Sequence, residues 1–213
     1  MTDDSVAAGL FGAWLARARA ALRGEAGNDV PCGDCVGCCT SSYYIPLRPR
    51  DVAVLEQVPA AFLTKSQDHA DSHWLMGYRP DGRCPMFAGQ GCSVYATRPQ
   101  TCRDYDCRVF AAAGIDAGGA DKDTINRRVR AWTFTYTDDA DRAAHAAVRE
   151  AATFLRNHAS LFPKGLVPAT PMGVAVLAIK VYAVFLDAGS EMEPPARIAG
   201  AIIDASEAFN FPG

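Results

Sequence analysis

Apolar positions recur at helical spacing near both ends of the chain, and the stretch between them breaks into short alternating runs. Leu10, Phe11, Trp14, Leu15 and Leu22 predict a helix from about Val6 to Arg23. Asp4 or Ser5 can accept hydrogen bonds from its first amides. Arg17, Arg19 and Arg23 suit the negative end of its dipole, and Gly24 can stop it. Gly24 to Asn28 reads as a loop. Asp138 to His158 sets Ala140, Ala144, Ala147, Val148, Ala151, Phe154 and Leu155 on one face, with acids in the first turn, and predicts a long amphipathic helix. Pro171 to Asp187 and Pro195 to Phe209 predict two more helices, the last with Ile198, Ile202 and Phe209 on one side.

The middle of the chain predicts short elements. Tyr43-Tyr44-Ile45 reads as a strand, and Pro49 with Asp51 opens a helix through about Gln57. His73 to Tyr78 alternates as a strand does, Pro80-Asp81-Gly82 signals a turn, and Cys84 to Phe87 reads as the return strand. A second turn at Gly89-Gln90-Gly91 leads into Cys92 to Tyr95 and would bring Cys84 and Cys92 together. Pro99 suits the first turn of a helix carrying Cys102 and extending toward Cys107. Gly114 to Ala120 is a Gly/Ala-rich break, and Asp123 to Arg130 reads as helix. Trp132, Phe134 and Tyr136 alternate with Thr133, Thr135 and Thr137, a strand with one aromatic face.

The pattern sums to an α+β protein, mostly α: a small irregular cysteine-rich knot with short β-hairpins, packed against a helical bundle. The expected organisation is an N-terminal helix over residues 1–28, a cysteine-rich metal-binding region over 29–113 and a helical region over 121–213, together forming one compact domain.

Of the 213 residues 49% are hydrophobic, so a core can form without disulfides. The net charge of −3 spreads no basic field over the chain, which argues against a nucleic-acid partner. The run Arg127, Arg128, Arg130 reads as a solvated helix face. Met1 to Ser5 lacks the pattern of a secretory signal. The most apolar stretch, Met172 to Leu186, is short and holds Lys180, whereas a membrane span needs about 20 apolar residues. These features lead to the expectation of a cytoplasmic protein without a membrane span.

In that compartment the cysteines change the picture. Cys32, Cys35, Cys38, Cys39, Cys84, Cys92, Cys102 and Cys107 all fall in one part of the chain. Clustered cysteines in a reducing environment mark a metal or redox site more often than a disulfide framework. The two-residue gaps of Cys32-x-x-Cys35-x-x-Cys38-Cys39 let successive thiolates turn toward one centre, and Gly33 and Gly37 permit the tight backbone this needs. Cys102 and Cys107 share no face of an ideal helix, so both can ligate only if the helix ends or bends between them.

The cysteine run is followed by Cys84-Pro85-Met86-Phe87, by Gly91-Cys92-Ser93-Val94-Tyr95, and by Arg98-Pro99-Gln100-Thr101-Cys102-Arg103. In this order and spacing the chain from about Cys32 to Cys107 resembles the CxxCxxCC cysteine-cluster family, also called YkgJ-like. That family is described as zinc- or iron-chelating, or as iron–sulfur-cluster-containing. The resemblance implies a metal site and no settled reaction.

The run C-x2-C-x2-C favours an iron–sulfur cluster, although Cys39 stands next to Cys38 rather than at ferredoxin spacing. Zinc is the alternative, with two four-thiolate sites using all eight cysteines. Around the cysteines, Arg98 and Arg103 are candidates to offset thiolate charge near a cofactor, and Arg103 could instead pair with Asp104 or Asp106. Tyr95 and Trp132 could shield a cluster from water. His69 and His73, four apart, are weak candidate ligands, and His145 and His158 read as surface or packing residues. No phosphate-binding glycine motif occurs, and the C-terminal half shows no nucleophile–base set. The expected function is an iron–sulfur protein with a redox or electron-transfer role and an unidentified redox or protein partner. The alternatives are a structural zinc module that recognises a protein or small molecule, and metal handling.

Overall fold

The computed structural model of the chain describes residues 5–28, 30, 32–65, 74–187 and 194–211. It opens with strand β1 (Val6–Leu10) and helix α1 (Phe11–Leu22). Then come β2 (Ile45–Leu47), α2 (Val52–Leu55), β3 (Leu63–Lys65), β4 (Trp74–Met76), β5 (Phe87–Ala88), β6 (Gly91–Cys92), α3 (Gln100–Asp104) and α4 (Arg108–Ala113). The rest is α5 (Asp123–Ala131), β7 (Trp132–Thr135), α6 (Asp139–Asn157), α7 (Pro171–Val181), α8 (Val184–Asp187) and α9 (Pro195–Asn210). Helix takes 53% and strand 12% of the described residues, in several short sheets, so the fold is α+β and mostly α.

The helix predicted from Val6 is corrected to a strand followed by a helix. Gly9 sits at φ +96°, outside the helical region and open only to glycine at low cost. Val6 to Leu10 instead pairs in parallel with β7, Val6 opposite Trp132 and Leu10 opposite Thr135, with a register shift between Ala7 and Gly9.

The chain divides into two compact units. The first comprises Met1–Ala26, Cys107–Ala117 and Val129–Gly213. Its core is helical: α4, α7 and α8 pack on α6, and α9 packs on α7. Beside the β1–β7 pair lies an aromatic group in which Phe11 meets Phe134 edge-on at 5.1 Å and stacks on His145 at 4.3 Å. Long helix α6 begins where its cap lies: the Asp138 carboxylate accepts from the Asp141 amide at 2.9 Å. The predicted helix Pro171 to Asp187 is divided between α7 and α8. Arg19 Nη1 donates to the carbonyls of Ile179 and Lys180 at 2.7 and 2.8 Å, satisfying acceptors at the end of α7.

The second unit comprises Gly27–Asp106 and Gly118–Arg128. Its sheet has the order β2-β4-β3, both pairings antiparallel. Leu47, Val54, Val58, Met76, Met86 and Val94 form its core, with Cys84 and Cys92 packed against it. Asp51 fastens the unit together, one oxygen accepting from the Arg48 amide at 2.8 Å and the other from the Gln100 amide at 3.0 Å. Thr101 adds a hydrogen bond to the Pro46 carbonyl at 2.7 Å, so α3 is held at both β2 and α2.

Among the described residues no helix is long and apolar enough to cross a membrane.

Candidate metal centre

Seven of the eight cysteines belong to the second unit: Cys32, Cys35, Cys38, Cys39, Cys84, Cys92 and Cys102. All eight cysteines are free thiols. The first four lie in a loop that ends in the 3-10 turn Gly37–Thr40. The Cys35 amide donates to the Cys32 carbonyl at 3.0 Å, and the Gly37 amide approaches the Cys35 sulfur at 3.5 Å. Gly37 is buried against α5: a Cβ there would stand 3.3 Å from the Ile125 Cα and 3.5 Å from the Cys35 sulfur. Consecutive residues of a 3-10 turn project about 120° apart. Cys38 is exposed, whereas Cys39 is half-buried.

The next two cysteines are positioned by turns. The Cys84 amide donates to the Cys39 carbonyl at 2.7 Å, which docks the second segment on the first. Cys84 to Phe87, predicted as a strand, is a turn closed by the Phe87 amide on the Cys84 carbonyl at 3.0 Å. It ends in the β5–β6 hairpin, where Cys92 faces Phe87. The predicted proximity of Cys84 and Cys92 is therefore met, although the strands beside β4 are β2 and β3.

Electrostatics report which thiols gather. Burial, then the neighbouring Cys84, Cys92, Cys35 and Cys32, push the Cys39 thiol up to about 12. Burial, then Cys84, Cys39 and Cys92, push Cys102 up to about 12, while Arg98 draws it the other way. Cys84 is raised by burial, opposed by the amides of Met86 and Phe87 and by Arg79, with Cys92 adding to the rise. The Cys39, Cys84, Cys92 and Cys102 thiols, drawn from separate segments, thus lie within electrostatic reach of one another. Among the described residues no three His, Cys, Asp or Glu side chains stand ready-made around a metal position. The donor chemistry nevertheless fits one: grouped thiols whose ionisation is opposed by burial and by each other are stabilised as thiolates by a cation.

Cys107 lies in the other unit. It is 5% exposed, precedes α4, and its sulfur accepts the Trp132 Nε1–H at 3.1 Å. The helix carrying Cys102 does end before Cys107, with Tyr105 extended at its C-terminus.

The cationic neighbours differ in part from expectation. Arg98 lies 4.1 Å over the ring of Tyr95, which is 60% exposed and so does little shielding. Arg103 pairs with neither Asp104 nor Asp106; it donates to the carbonyls of Arg98 and Ala96 at 3.0 and 2.9 Å and closes the turn ahead of α3. Arg128, expected on a solvated face, is half-buried and donates to the Cys32 carbonyl at 2.9 Å. Its position three residues after Ile125, on the same helix face, was the legible signal. Arg79 was also missed: it donates to the carbonyls of Pro85 and Phe87 at 2.7 and 3.0 Å and so braces the Cys84 turn. His145 and His158 are packing residues, the first stacked on Phe11 and the second tilted against Phe154. His69 and His73 lie outside the described residues.

Residues 31–128 match the model of the CxxCxxCC family, described as "Putative zinc- or iron-chelating domain". No curated protein and no solved structure matches the chain. The match spans the cysteine run, the Cys84 turn, the hairpin cysteine and the α3 cysteine, and it is over residues 31–128 that the chain is similar to the CxxCxxCC family.

Proposed function

We propose that Cys39, Cys84, Cys92 and Cys102 hold one metal centre, that Cys32, Cys35 and Cys38 supply further thiolate ligands beside it, and that the metal is iron in an iron–sulfur cluster. The observation that carries this reading is the mutual grouping of those four cysteines, from the 3-10 turn, the Cys84 turn, the hairpin and α3. Four thiolates complete one cluster or one closed zinc site. The remaining C-x2-C-x2-C run is an iron–sulfur spacing, whereas zinc modules pair separate C-x2-C knuckles. The divergence of Cys38 from Cys39 suits neighbouring sulfurs that serve different metal atoms. Amide donors near sulfur, from Gly37, Met86 and Phe87, are the contacts that tune a cluster's potential.

When bound, such a cluster supplies one-electron chemistry, so the role follows as redox or electron transfer with a partner protein. This chain's residues hold the thiolates, place amides on them and bring Arg79 and Arg98 near. Free thiols in this number fit a reducing compartment such as the cytoplasm. Cys107, already engaged by Trp132, stands outside the proposed ligand set.

A second reading, structural zinc, is favoured by one feature: the Cys-Pro-Met-Phe turn with two amides directed at its sulfur also suits a zinc knuckle. Protein purified without oxygen separates the two. Iron with acid-labile sulfide and a visible band bleached by dithionite supports the cluster. Stoichiometric zinc in a colourless, sulfide-free protein overturns it in favour of the structural site.

A further inference from the structure

In a trans peptide the carbonyl and the following N–H point in opposite directions. A partner on one end therefore aims the other. The Pro85 carbonyl and the Met86 amide are the two ends of one such peptide, and the Met86 amide is directed at the Cys84 sulfur. The Pro85 carbonyl accepts from Arg79 Nη2 at 2.7 Å, and the same nitrogen donates to the Phe87 carbonyl at 3.0 Å. Between them, the Met86 carbonyl accepts from the amide and the hydroxyl of Ser93, both at 2.9 Å. All three carbonyls of the turn are thus held by partners, two of them by Arg79.

Arg79 is itself fixed. Where the chain leaves β4, the Gly77 amide donates to the Phe62 carbonyl at 2.9 Å. Pro80-Asp81-Gly82 then turns the chain back, with Gly82 at φ +80°. The Arg79 amide donates to the Arg83 carbonyl and the Gly82 amide to the Arg79 carbonyl, both at 2.8 Å. The half-buried Arg79 side chain therefore lies along the segment that follows its own turn.

We infer that Arg79 is a positioning residue of the metal centre: by holding the far end of the Pro85–Met86 peptide it aims the Met86 N–H at the Cys84 sulfur, and its charge stands beside the thiolate. The inference rests on the proposed role of Cys84 as a ligand. A cation on the Pro85 carbonyl also polarises the peptide and strengthens its N–H as a donor. Burial raises the Cys84 thiol, and the Met86 amide is the strongest contact opposing that rise, ahead of Arg79 and Phe87. Groups that orient a metal ligand from behind govern affinity by about 10–100-fold.

The test uses the full-length protein with its metal exchanged for cobalt(II), which is then withdrawn by a competing chelator. Thiolate bonds to cobalt absorb through sulfur-to-metal charge transfer, so one titration reads affinity and the state of the sulfur. Arg79→Gln should weaken cobalt binding about tenfold or more. It should also move the charge-transfer band to longer wavelength, because the sulfur loses a positive charge and an aimed donor. Arg79→Lys, whose ammonium can still donate to both carbonyls, should keep the band and stay within about threefold of the parent affinity. Arg83→Gln, an exposed neighbour 3.7 Å from Asp81, should change neither reading. A loss of packing alone would weaken binding without moving the band. A band at the parent wavelength in Arg79→Gln overturns the inference, as does a lysine variant no better than the glutamine one. A parent protein without any sulfur-to-cobalt band overturns the ligand reading beneath it, so the two failures are distinct.

Discussion

The amide of Cys84 donates to the carbonyl of Cys39 at 2.7 Å. This bond joins the last cysteine of the first run to the first cysteine of the second group by backbone alone, so it survives changes at either sulfur. Serine at Cys39, Cys84, Cys92 or Cys102 should therefore remove most of the bound metal without unfolding the helical unit. Serine at exposed Cys38 should remove less. Metal analysis beside far-ultraviolet circular dichroism checks both halves of this expectation.

Gly37 packs its backbone on the Ile125 backbone and beside the Cys35 sulfur. A Gly37→Val change forces a branched side chain into that contact and should cost about 1–3 kcal/mol. Metal retention should fall with it, because the same turn carries Cys38 and Cys39. Urea midpoints of the metal-loaded proteins measure the cost.

Arg128 and Arg127 are neighbours in sequence with opposite roles. Arg128→Ala removes a charged donor from the Cys32 carbonyl and should destabilise by about 1.5–3 kcal/mol. Exposed Arg127→Ala should stay within about 0.5 kcal/mol of the parent. The difference in unfolding midpoint between the two variants is the measurement.

His145 is buried against Phe11 and is linked to the Tyr136 hydroxyl through Nδ1 at 2.7 Å. Burial lowers its pKa, the Arg149 guanidinium lowers it further, and the carbonyls of Ala111 and Ala112 oppose the shift. The neutral ring is thus the folded form. Its stabilisation is fully present above the unfolded value of about 6.5 and is lost as pH falls through the folded value. Thermal midpoints should drop on acidification across that window, and His145→Gln should flatten the drop.

Much of this was legible in the chain, for local reasons. Acids at the start of α6, its apolar face and the Trp132-Phe134 alternation are signals carried within one element, and the elements formed where they were expected. The cysteine spacing likewise marked the segment that matches the CxxCxxCC family. Val6 to Leu10 was misread because a short apolar run with two alanines fits helix and strand alike, and its partner strand lies far along the chain. Cys84 to Met86 was misread because the turn closed by the Phe87 amide on the Cys84 carbonyl takes up these residues, and the strand starts only at Phe87. The roles of Arg79 and Arg128 depend on carbonyls brought to them by folding, which spacing alone does not encode.

X-ray absorption at the edge of the bound metal tests the central claim most directly. A first shell made of sulfur at about 2.3 Å, diminished in Cys39→Ser and Cys102→Ser but unchanged in Cys107→Ser, is the result this account predicts. A shell of oxygen and nitrogen, or a sulfur shell indifferent to Cys39 and Cys102, would contradict it.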